Sequence, residues 1–323
     1  MKSSSELFPV SLLRADVLGD LTEDVYLVKH NRDPDRSVQI AVSHLGLRSR
    51  GGHSGQPLIL LHGSFTNRGF WLSDKGEGLA RYLLEQGFDV WLMEQRGHGL
   101  SPRNHDYVRN TLERYVLSDI PAVNDFVQEQ SGQKPVWIGH SLGGVIISSS
   151  VAAGRLHADN SRAMVLLGTQ VVRRPWYLWL PLTSLVLRLL VKSKAELDGR
   201  KLGIGPENEP AGLVNEYLAR HSLFGRWQIR SEKLRLLPAW KQGADLPLLA
   251  VAAAADKSDP AKACLRFASL YGGAQKDNLL LGKTEGFSRD YGHVDMVVSK
   301  EAATEVWPRI QHWLNQLGQQ AGA

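Results

Sequence analysis

Short apolar runs bounded by glycines and polar turns recur along this chain and set its rhythm. PLILLHG (Pro57–Gly63), FDVWLMEQ (Phe88–Gln95), the run Pro135–Ile138, RAMVLLGTQV (Arg162–Val171), LPLLAVAAAAD (Leu246–Asp256) and DNLLLGKTEGF (Asp277–Phe287) read as buried strands. Helical patterns fall between them, around Gly78–Gln86, around Ile120–Gln130 and after Ser141. The run Glu301–Leu317 puts Val306, Ile310, Trp313 and Leu317 at helical spacing and predicts a last amphipathic helix. This alternation predicts an α/β fold on a mostly parallel sheet. Ahead of it, extended runs from Leu7 to Leu47, broken by turns such as NRDPDR (Asn31–Arg36), predict antiparallel leading strands. SRGGHSGQ (Ser49–Gln56) reads as a loop.

One segment breaks the rhythm. More than seventy residues separate Val171 from Leu246 without a clear β/α repeat, too many for a plain connection. We read residues 172–240 as an inserted, mostly helical cap. Residues 1–171 and 241–323 then form the two parts of one core.

Composition narrows the field. The 323 residues carry 38 Lys plus Arg against 33 Asp plus Glu, a net +5. That charge is diffuse, with no basic stripe and no zinc-finger spacing, so no nucleic-acid partner is expected. The single cysteine, Cys264, excludes an internal disulfide and reads as a small core residue. No secretory signal and no spanning run are read, so the expected location is cytoplasmic. The histidines do not show metal-ligand spacing, and neither a metal nor a cofactor is expected.

The chemistry gathers where strands end, because ligands of parallel α/β sheets bind at those carboxyl ends. Gly139-His140-Ser141-Leu142-Gly143 lies between a strand and a helix, the context in which G-x-S-x-G exposes a nucleophile. The small residues on either side let strand and helix approach. A helix N-terminus favours the negative charge that develops in acyl transfer. His62, Gly63, Ser64 and Phe65 follow an earlier strand, Asp256 follows the alanine run, and His293 lies in the loop after the last strand. The order Ser, Asp, His is the order of this architecture. Asp259 is the alternative acid.

With these motifs in place (LILLHGSF, DVWLMEQRGHGLS, VWIGHSLGG, LAVAAAADKSDP and DYGHVDM), the chain resembles the serine hydrolases of the α/β-hydrolase superfamily. Two motif regions are similar to the acid-lipase and polyhydroxyalkanoate-synthase-like branches. The synthases carry cysteine where Ser141 stands here. The resemblance implies an esterase or lipase with Ser141 as nucleophile, His293 as base and Asp256 as the orienting acid. It implies an oxyanion hole from the backbone amides of Leu142 and Ser64, with Phe65 nearby. In RGHGLS (Arg96–Ser101), His98 is expected to pack a loop. A thioesterase or acyltransferase would use the same groups. A non-catalytic binding protein on the same fold is the alternative from another class.

The cap holds the most unusual stretch, RRPWYLWLPLTSLVLRLLVKSK (Arg173–Lys194). Aromatic and aliphatic residues with basic flanks suit an interfacial lid over a lipophilic cleft. Trp176 and Trp179, with Phe65, are expected to touch a lipid-like ester substrate, and Phe224 and Trp227 to add cleft wall. Peripheral contact with a lipid surface is the other expected role of this stretch. Oligomeric state is not legible.

Overall fold

The computed structural model describes residues 10–49 and 55–319. The start of the first extended run (Leu7–Pro9) and most of the predicted loop (50–54) lie outside the described residues, as does the extreme N-terminus in which no signal was read.

Nine strands form one sheet: β1 (Val10–Leu18), β2 (Leu21–Val28), β3 (Ile40–Leu47), β4 (Pro57–Leu61), β5 (Asp89–Met93), β6 (Val136–His140), β7 (Ala163–Leu167), β8 (Leu248–Ala253) and β9 (Lys276–Leu281). Their spatial order is β1-β2-β3-β5-β4-β6-β7-β8-β9. The first three strands pair antiparallel and β3 meets β5 antiparallel. All pairs from β5 to β9 are parallel. The crossover of β4 and β5 places β4 and β6 side by side, so the His62-Gly63 turn and Ser141 emerge next to each other.

The sheet is covered on both faces, which is why its central strands are continuously apolar. Alternate residues part to opposite sides. Ile59 and Leu61 of β4, with Trp137 of β6, join one core, whereas Leu58, Leu60, Val136 and Ile138 join the other. The first core is closed by α2 (Ile120–Ser131) and α3 (Leu142–Ala152). Trp137 donates its indole N–H to Asn124 of α2 at 2.9 Å, so the buried polar edge of the ring is satisfied. The second core holds α1 (Leu79–Glu85) and the C-terminal helix. That helix, predicted as one, is two: Lys300–Glu305 and Trp307–Gln319. The break precedes Pro308, which a helix tolerates only in its first turn.

Between β7 and β8 lies the insertion. It contains α4 (Pro181–Lys192), α5 (Ala211–His221) and α6 (Leu236–Gln242), and two short hairpins, Glu196–Asp198 with Asn208–Pro210 and Gln228–Ile229 with Leu234–Arg235. Helix α6 buries Leu236 and Trp240 in the first core, and Trp240 stacks on Phe267 at 4.8 Å. Leu213, Trp227 and Ile229, earlier in the same segment, join that core as well. No helix among the described residues is long and apolar enough to cross a membrane.

Candidate active site

Ser141 sits on a turn with φ +51° and ψ −118°, between the end of β6 and the first residue of α3. A side-chain-bearing residue in that region is strained by about 1–3 kcal/mol. The turn is held because its neighbours lack side chains. A Cβ on Gly139 would lie 2.6 Å from the Gly144 amide, and one on Gly143 would lie 2.3 Å from the Leu61 carbonyl. The Ser141 amide also donates to the Leu167 carbonyl of β7 at 2.9 Å, tying the turn to the next strand.

The expected acid and base, Asp256 and His293, come together across the carboxyl ends of the neighbouring strands. His293 Nδ1 lies 2.7 Å from Asp256 Oδ2, with the Asp256 side chain fully buried. The other carboxylate oxygen, Oδ1, accepts the amides of Ser258 and Asp259, each at 2.8 Å, so both oxygens are fixed. Burial works against a charged imidazole here. The Asp256 hydrogen bond and charge, with Asp259 behind, outweigh it and hold His293 above the ordinary histidine pKa. Gly168 at the end of β7 makes room for the ring, since a Cβ there would lie 3.1 Å from His293 Nδ1. His140 Nε2 contacts the His293 carbonyl at 2.8 Å. Burial first, then the nearby His293, pushes the His140 pKa down to about 3, so it is neutral and donates that proton.

Asp259, the alternative acid, accepts instead from Gln170 Nε2 at 2.7 Å. Cys264 is buried beside it, and burial raises its thiol pKa. It therefore has the character of a core residue.

The Gly63 turn lies against Ser141: a Cβ on Gly63 would lie 3.1 Å from Ser141 Cβ. Ser64 and Leu142, the residues expected to offer amides, thus flank Ser141 from two elements. Leu142 opens a helix, where amides have no intrahelical acceptor. Phe65 is different. Its φ is +58°, its amide donates to Glu209 Oε1 at 2.8 Å, and its carbonyl accepts the Glu207 amide at 3.0 Å. Its amide is thus already engaged. The hairpin of the insertion clamps the residue that follows Ser64.

That clamp extends into RGHGLS. Glu207 Oε1 accepts from the Gly99 amide at 3.2 Å and from the Asn67 side chain. His98 is fully buried with Nε2 3.5 Å from Glu209 Oε1. Burial opposes its charge, but the Glu209 carboxylate raises its pKa. Arg96 is buried against Asp119 at 2.6 Å and Asp33 at 2.9 Å, the pairing a desolvated guanidinium requires. The loop is structural, as expected, but it anchors the insertion as well as itself. Glu207 and Glu209 were not singled out in the sequence. Their one signal was two acids in a turn-rich GIGPENEP loop.

Of the four apolar residues expected at the cleft, three are exposed and one is buried in the core. Trp176 and Trp179 are 75% and 51% exposed and look outward. Phe224 is also exposed. Trp227 lies behind the site, donating to Ser149 of α3 at 2.9 Å and packing edge-on against Phe267. A hydrophobic sequence pattern does not say which way its side chains face, and here tertiary packing decided.

Known proteins resemble this chain in part of its sequence and in its fold. Residues 56–202 match the family described as alpha/beta hydrolase fold. The chain is 32% identical over 136 residues to human gastric triacylglycerol lipase, covering 39% of this chain and 32% of the lipase. It is 27% identical over 225 residues to triacylglycerol lipase 2 of Arabidopsis thaliana, covering 67% of this chain and 50% of that protein. The match thus spans a third to a half of these curated relatives. A thermophilic esterase from Thermogutta terrifontis superposes with a TM-score of 0.60 at 16% identity, over 91% of this chain and 98% of the esterase. The sheet order, the partial family match and the superposition together show that the chain has the α/β-hydrolase fold.

Proposed function

We propose that this chain hydrolyses carboxylic esters bearing a hydrophobic acyl or alcohol group, through an acyl-enzyme on Ser141. The observation that carries the reading is the 2.7 Å contact between His293 Nδ1 and buried Asp256, beside a serine on a strained turn. Aspartate fixes the imidazole tautomer, leaving Nε2 to take the Ser141 proton as Oγ attacks the ester carbonyl. The oxyanion meets the amides of Leu142 and Ser64. His293 then returns the proton to the departing alcohol, and water repeats the sequence to release the acid. Similarity to two triacylglycerol lipases and an esterase supports an ester substrate and favours an apolar one.

A p-nitrophenyl ester series with an acyl-CoA arm tests this. Turnover is expected on esters and to favour octanoate or longer over acetate. Ser141→Ala is expected to lose about 10⁴-fold or more in kcat. Faster acyl-CoA cleavage would reassign the substrate to thioesters. Unchanged turnover in Ser141→Ala would remove the mechanism.

A further inference from the structure

Helix α4 is built inside out. Its polar Ser184 is 4% exposed, while Leu182 is 76% and Leu189 58% exposed, and Leu185, Val186 and Leu190 are exposed with them. At about 100° per residue these five share one face. An apolar helical face turned to water is the arrangement of an element that something apolar covers. Trp176, Tyr177 and Trp179, just ahead of the helix, are exposed as well and extend the patch with rings suited to a membrane–water interface.

What covers it is indicated by charge. Arg188 and Lys192 lie along one edge of that face, between the outward leucines and the inward Ser184. There they line a cavity of about 350 Å³ together with Arg109, Arg230, Glu113 and Glu216. The two acids are already occupied. Glu113 accepts the Arg230 and Ser231 amides at 2.8 and 3.2 Å, and Glu216 accepts the Leu112 amide at 2.6 Å. Among the described residues, Lys192 and Arg230 form no ion pair, Arg188 donates Nε to Asn215 Oδ1 at 3.0 Å but meets no carboxylate, and Arg109 meets Asp106 only at 4.0 Å. Lys194, Arg200 and Lys201 follow the helix in sequence and are exposed, Lys201 beside Asp198 at 3.5 Å. A second copy of a chain with this charge would bring like charges together around the patch. A bilayer with anionic headgroups satisfies both parts at once.

We propose that α4 docks this protein on anionic phospholipid surfaces, its leucine face in the acyl boundary and a headgroup phosphate in the cavity of Arg109, Arg188, Lys192 and Arg230. The interaction is separate from ester hydrolysis, and wild-type turnover of a soluble butyrate ester reports on the latter alone.

The test is co-sedimentation of the full chain with vesicles of phosphatidylcholine, with or without phosphatidylglycerol, alongside light scattering of the protein without lipid. At least tenfold stronger binding to the anionic vesicles is expected, because each lysine or arginine near such a surface contributes several-fold. Lys192→Gln with Arg109→Gln is expected to remove most of that preference, and Leu185→Ser with Leu189→Ser to remove binding to both vesicle types. Absent binding, or equal binding to neutral and anionic vesicles, overturns the proposal. A dimer that the leucine double variant dissolves would assign the face to a second copy and overturn it too. Calorimetric binding of inorganic phosphate, with vesicle binding unaffected in Lys192→Gln with Arg109→Gln, would make the cavity a free-phosphate site and likewise overturn it.

Discussion

The two halves of the insertion face in opposite directions. The hairpin around Glu196–Pro210 directs its polar groups inward: Glu207 and Glu209 grip both sides of the Phe65 peptide unit, and the Asn208 carbonyl accepts the Tyr107 hydroxyl at 3.0 Å. Helix α4, a few residues upstream, directs its leucines outward. One part is therefore packed against the loop that follows β4, and the other presents an apolar face to water. An insertion of this kind is not a uniform lid, and its parts should respond to different assays.

The catalytic scale comes first. Asp256→Asn is expected to cost about 10⁴-fold in kcat, because the wrong imidazole tautomer is then presented to Ser141. Its pH profile is a second check. His293 must be neutral to act as base, so activity rises as pH passes its raised pKa. Without the aspartate charge, that acid limb is expected to move to lower pH. An acid limb that stays in place in the variant would assign it to another group.

Glu209→Gln addresses the inward half. Loss of the carboxylate at the Phe65 amide is expected to loosen the neighbouring Ser64 amide and lower kcat by about 10- to 100-fold, below the cost of deleting an oxyanion donor outright. KM for a short ester is expected to change less than kcat. Wild-type kcat in Glu209→Gln would erase the distinction between the halves. The outward half gives the smallest effect. Leu185→Ser and Leu189→Ser are each expected to change folding stability by no more than about 0.5 kcal/mol, as measured by thermal melting, because both side chains already face water. A loss of several kcal/mol would mean that the face is packed.

Much of this arrangement was legible before any coordinates. Ser141, Asp256 and His293 follow strands whose apolar runs are local features, and a strand end needs only a few residues of context. The place of Asp256 at the strand end favours it over Asp259, and the structure adds that Asp256 is the one in contact with Nδ1 while Asp259 accepts from Gln170. The Glu209 contact with Phe65 joins residues 144 positions apart and leaves no local trace. For the stretch Trp176–Leu190, the apolar character was legible and the direction of the apolar face was not. Periodicity identifies residues that share a face of a helix, but the direction of that face depends on what packs beneath it. Here Ser184 took the inner place.

The positive φ of Ser141 sets catalytic competence against thermodynamic stability at a single position. Glycine adopts that backbone without strain, although it also makes the unfolded chain more flexible. Ser141→Gly is therefore expected to melt higher by the equivalent of about 1 kcal/mol while losing all turnover. The fold at rest would then be better served by a different residue at this turn than by the serine that occupies it.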